Sequence, residues 1–353
     1  MNSDTLVKAK VRADLPPEVF VRRPMRCLLL IPLLGIVIGG STALVMLPIP
    51  WYAALAVSVV VGNFYASMMF LGHEIAHGAI VRSRRLQNLL LYPGCAIFCI
   101  SPYLWRVWHN CAHHAHTNRP DEDPDNFGTL ENFLHSPPLT RSFTKTAPGS
   151  GHWLSAIYLF AFFTLQAQSV LWWKSRIMPG YRRLKRKRAV VDSVLLATFW
   201  IGVSITTGLR GTLFVVVIPM LVANFVVLSY VVTNHMVRPL SDKTDTLSTT
   251  MSVTTFKLLD RIHFHFSHHV EHHLFPAMSS SMTPHVRHSL VQHFGDRYLA
   301  PPHWRALLMV YQTPRVYDGP QALIEPYSGR REEIPRVEAT LRARQKLPTS
   351  SEG

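Results

Sequence analysis

Residues 263–276, HFHFSHHVEHHLFP, are the stretch around which the rest of the chain is organised. Within it, His269, His272 and His273 stand at positions i, i+3 and i+4. On a helix this spacing places the three imidazoles at neighbouring positions of one face. Neutral imidazole is the commonest metal ligand among side chains, so the stretch predicts one wall of a metal site. Pro276 is expected to end the helix.

Two upstream clusters repeat the helical spacing. HEIAH at residues 73–77 contains an i, i+4 pair, and HNCAHH at residues 109–114 contains another with an adjacent histidine. His235, which follows the apolar stretch at residues 212–234, is a further candidate. Its alternative role is that of a polar side chain at the membrane interface that binds no metal. The candidate ligands are therefore His73, His77, His109, His113, His114, His235, His269, His272 and His273. This nitrogen-rich, sulfur-free set suits two redox-active metals with four or five ligands each, and iron fits best.

The apolar residues, which make up 48% of the 353 residues, are bunched into long segments. A helix of about 20 apolar residues spans a bilayer. The segments predicted to cross are residues 27–48, 51–72, 189–208 and 212–234. The net charge of +15 comes from basic residues that flank apolar segments, as the positive-inside rule predicts for a cytoplasmic face. We therefore predict an integral membrane protein without a nucleic-acid partner.

The order of the apolar segments predicts a topology. If the second and third clusters share a metal centre, they lie on one side of the membrane, and an even number of spans separates them. Because the basic run at residues 174–188 is expected to be cytoplasmic, residues 152–173 are predicted to lie in the membrane interface rather than to cross. Residues 86–104, which Pro93 and Pro102 interrupt, are predicted to be interfacial as well.

The predicted fold is all-α, with four transmembrane helices in two hairpins and a cytoplasmic helical domain that holds two metals. This membrane-embedded region covers residues 26–290. Residues 1–25 and 291–353 are predicted to be cytoplasmic tails. About the last twenty residues are expected to fray, because charged chain ends rarely pack.

Four carboxylates lie close to the clusters in the sequence. Asp121, Asp123 and Asp125 follow the second cluster, and Glu271 lies inside the third. A metal-bound imidazole usually donates its other N–H to an acceptor such as a carboxylate. These residues are therefore candidates for orienting the ligands. The pattern fits equally well with carboxylates that are solvated in loops and contact no ligand.

Two other classes of protein share part of this pattern. HEIAH formally matches H-E-x-x-H, the zinc metalloprotease motif in which glutamate is the general base. An intramembrane protease of that kind leaves the other histidine clusters unexplained. A metal transporter places ionisable ligands inside its spans, and the predicted spans carry almost none.

The three clusters resemble the histidine boxes of the membrane fatty acid desaturase and hydroxylase superfamily. HEIAH resembles the first box, and HNCAHH, followed by AHTN and DEDPD, resembles the second. HHVEHHLFP is similar to the third box of acyl-lipid desaturases. The resemblance covers about residues 50–290, and the second box departs from many relatives by having three residues, not two, between His109 and His113. It implies two iron ions on the cytoplasmic side of a four-span bundle, and the use of O2 and two electrons to break an unactivated C–H bond.

The resemblance also implies a substrate and partners. A long-chain fatty acid or fatty acyl lipid is the expected substrate, and the similarity of EHHLFP to acyl-lipid desaturases favours desaturation. The alternatives are an oxidative decarboxylase that makes terminal alkenes, with Arg82, Arg84 or Arg85 holding the carboxylate, and a lipid or carotenoid hydroxylase. No His-Pro-Gly-Gly motif of a fused cytochrome b5 is present, so a separate donor of the ferredoxin or cytochrome b5 type, with its reductase, is expected. The expected location is a bacterial inner membrane.

Overall fold

The computed structural model describes residues 3–343 and residue 345, and the fold is mostly helical. The α-helices are α1 (Ser3–Asp14), α2 (Leu30–Met46), α3 (Trp51–Ala76), α4 (Arg84–Ala96), α5 (Pro102–Arg106), α6 (His114–His116), α7 (Leu130–His135), α8 (Pro138–Ser142), α9 (Tyr158–Ser169), α10 (Ser175–Ile177), α11 (Arg186–Gly211), α12 (Ile218–His235), α13 (Thr246–Thr249), α14 (Lys257–Ile262), α15 (His269–Leu274), α16 (Thr283–Phe294), α17 (His303–Gln312) and α18 (Ile334–Arg342). Segments of π-helix cover Val107–His113, Val170–Lys174 and Thr212–Val217, and 3-10 turns cover Pro17–Phe20, Pro24–Leu29, Phe143–Thr146, Trp153–Ile157, Pro179–Tyr181 and Ser280–Met282. The strands β1 (Val316–Tyr317), β2 (Ala322–Ile324) and β3 (Arg331–Glu333) form an antiparallel sheet in that order, which the all-α prediction did not include.

Helices long and apolar enough to cross a membrane occur in four places among the described residues. Pro24–Met46 and Trp51–Ala76 match the first two predicted spans. Arg186–His235 contains both later predicted spans. Its 50 residues would extend about 75 Å as one helix, whereas a hydrocarbon core is only about 30 Å thick, so the segment is long enough for two spans. The backbone breaks at Gly208, whose φ of +66° favours glycine. Trp153–Ile177 also has the length and composition of a span, so its predicted interfacial placement stays a prediction.

Residues 22–111 and 159–228 form one compact unit, here called the membrane unit. Its helices approach one another closely at small residues. A Cβ at Gly94 of α4 would lie 2.6 Å from the Met68 carbonyl oxygen of α3, so only glycine fits there. The Ser58 hydroxyl of α3 donates to the Phe214 carbonyl (2.7 Å). Small residues and buried hydroxyl groups are typical of helix packing in lipid, where the hydrophobic effect between helices is weak.

The described parts of residues 1–21, 112–158 and 229–353 form a second compact unit, here called the terminal unit. The predicted N-terminal tail is folded: Val7 and Val11 of α1 are buried in one core with Val286 and Leu290 of α16. The predicted C-terminal tail forms α17, the sheet and α18. Of the last residues expected to fray, Ile334–Arg342 are helical, and residues 344 and 346–353 lie outside the described part.

Candidate metal centre

Three of the candidate ligands meet in the membrane unit. His73 lies in the last turn of α3, His77 follows directly after that helix, and His109 lies in the π-helical segment Val107–His113. The ring centroids are 4.9 Å apart for His73 and His77, 4.6 Å for His73 and His109, and 5.1 Å for His77 and His109. One ring nitrogen of each lies within 4.8 Å of the others.

The π-helical segment contains the extra residue by which the second box departs from many relatives. A π-helix bonds residue i to residue i+5, so its turn holds one residue more than an α-turn. The three residues between His109 and His113 are therefore accommodated within a wider turn. The segment is fixed to α3 by Asn110, whose side-chain N–H donates to the Ala76 carbonyl (2.9 Å), and the Trp105 ring stacks on His109 at 4.8 Å.

Glu74, the residue that would be the general base of H-E-x-x-H, is paired with a guanidinium group. Its two carboxylate oxygens accept from Arg26, at 3.0 Å from Nε and 2.9 Å from a terminal nitrogen. A bidentate pair of this kind is a strong, geometrically specific contact. The glutamate of H-E-x-x-H is thus engaged in a buried ion pair, which disfavours the protease interpretation.

Four further candidates converge in the terminal unit. His113, His235, His269 and His273 are all buried, and one ring nitrogen of each lies within 4.8 Å of the others. His269 is central: its Nε2 atom lies 2.9 Å from Nε2 of His235 and 3.1 Å from Nε2 of His273. We call these residues the four-histidine set. They come from three places in the sequence, and helical spacing predicted two of them, the second and third clusters.

The chemistry of this set fits a bound cation. His113 Nδ1 lies 3.0 Å from the Asp123 carboxylate, and His235 Nδ1 lies 3.4 Å from the Thr249 carbonyl. Both partners are acceptors, so each Nδ1 carries a hydrogen, and Nε2 is the ring nitrogen left to bind a metal. Tetrahedral nitrogen ligands at about 2.1 Å from a metal lie roughly 3.4 Å from one another, close to the spacings found here.

His114 and His272 form a pair beside the four-histidine set. Their Nε2 atoms are 3.1 Å apart, and the His114 ring stacks on His273 at a centroid distance of 4.1 Å. Both side chains are half-buried. The structure therefore brings the nine candidates together as three in the membrane unit and six in the terminal unit.

The protonation states of the buried imidazoles follow from their neighbours. Burial lowers the pKa of His113, but the charges of Asp123 and Asp125 outweigh it and raise the pKa to about 9. Burial, followed by the nearby histidines His114 and His269, holds the pKa of His273 well below its usual range. A metal that binds the set must therefore displace a proton from His113, whereas His273 is already in the neutral form.

The four predicted carboxylates have three different environments. Asp123 accepts from the backbone N–H groups of Asn118 (2.8 Å) and Asp125 (3.0 Å), which fixes it against His113. Asp125 also approaches His113 Nδ1, at 3.3 Å. Asp121 is exposed and contacts the Asn132 side chain. It therefore matches the alternative interpretation, a solvated carboxylate in a loop.

Glu271 is completely buried, and three of its hydrogen-bond partners are residues that the sequence did not suggest. It accepts from Ser252 Oγ (2.6 Å), Tyr298 Oη (2.6 Å) and Arg287 Nε (2.9 Å). Burial raises the pKa of Glu271, but the Arg287 charge outweighs it, so the pKa lies below its usual range. The carboxylate ties α15, which carries three candidate ligands, to α16 and to residues before and after it. No signal in the sequence pointed to these partners, because they lie 16 to 27 residues away.

The candidate head-group arginines lie in the membrane unit. Arg82, Arg84 and Arg85 precede or begin α4, and all three are exposed. Arg84 donates to the Gln87 side chain of its own helix (3.3 Å). Their predicted contact with a substrate carboxylate stays a proposal.

Comparison with known proteins agrees with the histidine boxes. The sequence matches the profile of the fatty acid desaturase family over residues 49–306. This range covers all three clusters and His235. Comparison with curated proteins gives no match. The match extends over more than half of the chain and is independent of the side-chain geometry, so the chain belongs to the fatty acid desaturase family of membrane oxidoreductases.

Proposed function

We propose that this protein is a di-iron desaturase that uses O2 and two electrons to introduce a double bond into a long-chain fatty acid or fatty acyl lipid. The observation that carries the proposal is the four-histidine set, in which one ring nitrogen of each buried imidazole lies close to the others. Membership of the family supports an oxidoreductase that acts on fatty acids. The overall balance is –CH2–CH2– plus O2, two electrons and two protons, giving –CH=CH– and two waters.

We propose that the nine candidate histidines hold the two irons, one of them in the four-histidine set. Nine ligands are the number that two metals with four or five ligands each require. When bound, the irons would supply the redox chemistry that activates O2 towards a C–H bond. Imidazole ligation without sulfur supports iron, although other first-row metals accept the same ligand type.

The residues around the set are proposed to orient the ligands and to keep water away. Asp123 and the Thr249 carbonyl hold the Nδ1 atoms of His113 and His235, which leaves both Nε2 atoms available to a metal. Burial of the whole set limits the access of bulk water, which would otherwise compete for the site. Because an alkyl chain offers no polar handle, the position of attack is proposed to depend on how the chain is held rather than on an acid or base.

Electrons are proposed to come from a separate protein of the ferredoxin or cytochrome b5 type with its reductase. The basis for this proposal is the absence of a haem, flavin or iron–sulfur motif from the sequence. Turnover by the purified protein is therefore expected to need both O2 and an added reducing system.

Deuterated fatty acids fed to cells that produce the protein test the reaction type by mass spectrometry. We expect an internal double bond, loss of two deuterium atoms and an unchanged chain length. Retained length with an added oxygen means hydroxylation instead. A terminal alkene one carbon shorter, with release of CO2, would support decarboxylation, for which the exposed Arg82, Arg84 and Arg85 are the carboxylate-binding candidates.

We also propose that the histidine clusters and the basic run at residues 174–188 face the cytoplasm of a bacterial cell. A Lys185→Cys variant tests the orientation, because Lys185 is exposed and lies inside that run. The introduced thiol is expected to react with a membrane-impermeant reagent only after the cells are opened. Labelling of this thiol in intact cells, with the parent chain as control for its own cysteines, would contradict the proposed topology.

A further inference from the structure

The terminal unit carries large apolar side chains on its surface in two segments that lie side by side. Phe256 and Leu258, at the start of α14, are 82% and 71% exposed, and Trp304 and Leu308, on α17, are 63% and 48% exposed. Isolated exposed apolar residues are common, but a contiguous group of this size marks a contact surface.

Backbone hydrogen bonds hold the two segments together. The Thr254 N–H donates to the Pro301 carbonyl, and the His303 N–H donates to the Thr254 carbonyl, each at 2.9 Å. This is a parallel bridge between Thr254 and Pro302. Phe256 lies two residues after Thr254, and Trp304 lies two residues after Pro302. Because the bridge is parallel, both segments continue from it in the same direction. The bridge therefore places the two apolar segments next to each other, and their exposed apolar side chains are here called the patch.

The patch is anchored beside the end of the last candidate membrane span. His303 Nε2 donates to the Ser229 carbonyl (3.0 Å), and the His303 ring stacks on Tyr230 at a centroid distance of 4.3 Å. Tyr230 Oη lies 3.0 Å from Nδ1 of His263, the residue that follows α14. Ser229 and Tyr230 belong to the last two turns of α12, where the apolar segment Arg186–His235 ends. The patch is thus linked to the last turns of α12, where the candidate span ends in the sequence.

Positive charges accompany the apolar side chains. Lys257 and Arg261 of α14 are exposed, and the Arg305 guanidinium lies 4.9 Å from the centre of the Trp304 ring. Asp260 in the same helix is engaged with His265 Nδ1 at 2.8 Å and with Ser267. Aromatic rings flanked by lysine and arginine are the composition that membrane–water interfaces favour, since the rings enter the headgroup layer and the cations meet anionic lipid.

We propose that this patch, formed by Phe256, Leu258, Trp304 and Leu308 with Lys257, Arg261 and Arg305, is embedded in the headgroup region of the bilayer and binds anionic phospholipid. The terminal unit is then held on the membrane surface by its own side chains, in addition to its covalent link to the spans. This surface carries none of the candidate metal ligands, so the inference stands independently of the proposed reaction.

Fluorescence of the full-length protein in lipid nanodiscs tests the proposal. The emission of Trp304 is obtained as the difference between the parent chain and a Trp304→Phe variant, in phosphatidylcholine bilayers with and without phosphatidylglycerol. We expect lipids brominated near the headgroup to remove most of this emission, and aqueous acrylamide to remove little. A Tyr327→Trp substitution in the Trp304→Phe background is the matched control, because Tyr327 is 52% exposed in the same unit and its ring contacts Phe133 and Lys145, which are not part of the patch. The tryptophan of this control should be quenched strongly by acrylamide and little by the brominated lipid.

A second comparison tests the role of the charges. We expect phosphatidylglycerol to strengthen quenching of Trp304 by brominated lipid, and the double variant Lys257→Ala, Arg261→Ala to lose that increase. Emission of Trp304 that acrylamide quenches and brominated lipid leaves unchanged would overturn the proposal, because the patch would then face water and suit a soluble protein partner. Equal quenching with and without phosphatidylglycerol would overturn the assignment of anionic lipid.

Discussion

A His269→Ala variant is expected to lose one of the two irons and to lower turnover by at least roughly 100-fold. Removing a partner that merely orients a metal ligand typically costs 10–100-fold in metal affinity or activity, and removal of a ligand should cost no less. His269 is the most informative choice because its Nε2 atom is the one that approaches two other members of the four-histidine set. Iron analysis and product formation by the purified variant measure the two effects.

The control for this variant is His288→Ala. His288 is an exposed histidine on α16 of the same unit and belongs to none of the three clusters. It should keep both iron content and turnover. A His269→Ala protein that is folded and retains two irons and full activity would show that the four-histidine set does not bind metal.

Replacing Glu271 by glutamine is expected to destabilise the protein by about 3–5 kcal/mol, the usual cost of removing one partner of a buried ion pair. The substitution keeps the size of the side chain but leaves the largely buried Arg287 guanidinium without its carboxylate. Because α15 is fixed through this carboxylate, iron should also be lost at a lower temperature than in the parent protein. Thermal unfolding in one detergent, followed together with iron release, measures both changes.

A surface pair in the same unit provides the comparison. Asp318 and Arg331 are 2.7 Å apart but are 36% and 47% exposed, so Asp318→Asn should change stability by only about 0–1 kcal/mol. Similar effects of the Glu271→Gln and Asp318→Asn substitutions would mean that the buried network does not hold α15 in place.

The sequence predicts which histidines within a cluster lie together because that signal is local. The i, i+4 spacing of His73 and His77, and of His269 and His273, follows from the helical repeat, and both pairs do meet in the structure. The candidate spans are similarly local, since about 20 apolar residues suffice to identify one. Two predicted spans match Pro24–Met46 and Trp51–Ala76, and the other two lie within Arg186–His235, where the backbone breaks at the left-handed Gly208.

Features that depend on contacts between distant residues were not predictable in this way. The residues that bond to Glu271 lie on other elements, and nothing in the local pattern of Ser252, Arg287 or Tyr298 distinguishes them from surface residues. The predicted N-terminal tail is polar in composition, yet Val7 and Val11 are enough to bury one face of α1 against α16. Whether Trp153–Ile177 crosses the membrane likewise depends on its neighbours, because length and hydropathy permit both arrangements.

The metal content of the active, full-length protein tests the central claim most directly. The protein should be produced in iron-supplemented cells, purified without chelators and analysed by mass spectrometry of its metals, with O2 consumption measured on the same sample in the presence of a reducing system. We expect about two iron atoms per chain, as nine imidazole nitrogens require, and O2 consumption that falls in proportion when iron is removed. Stoichiometric zinc with hydrolytic activity, and no dependence of turnover on O2, would contradict the account.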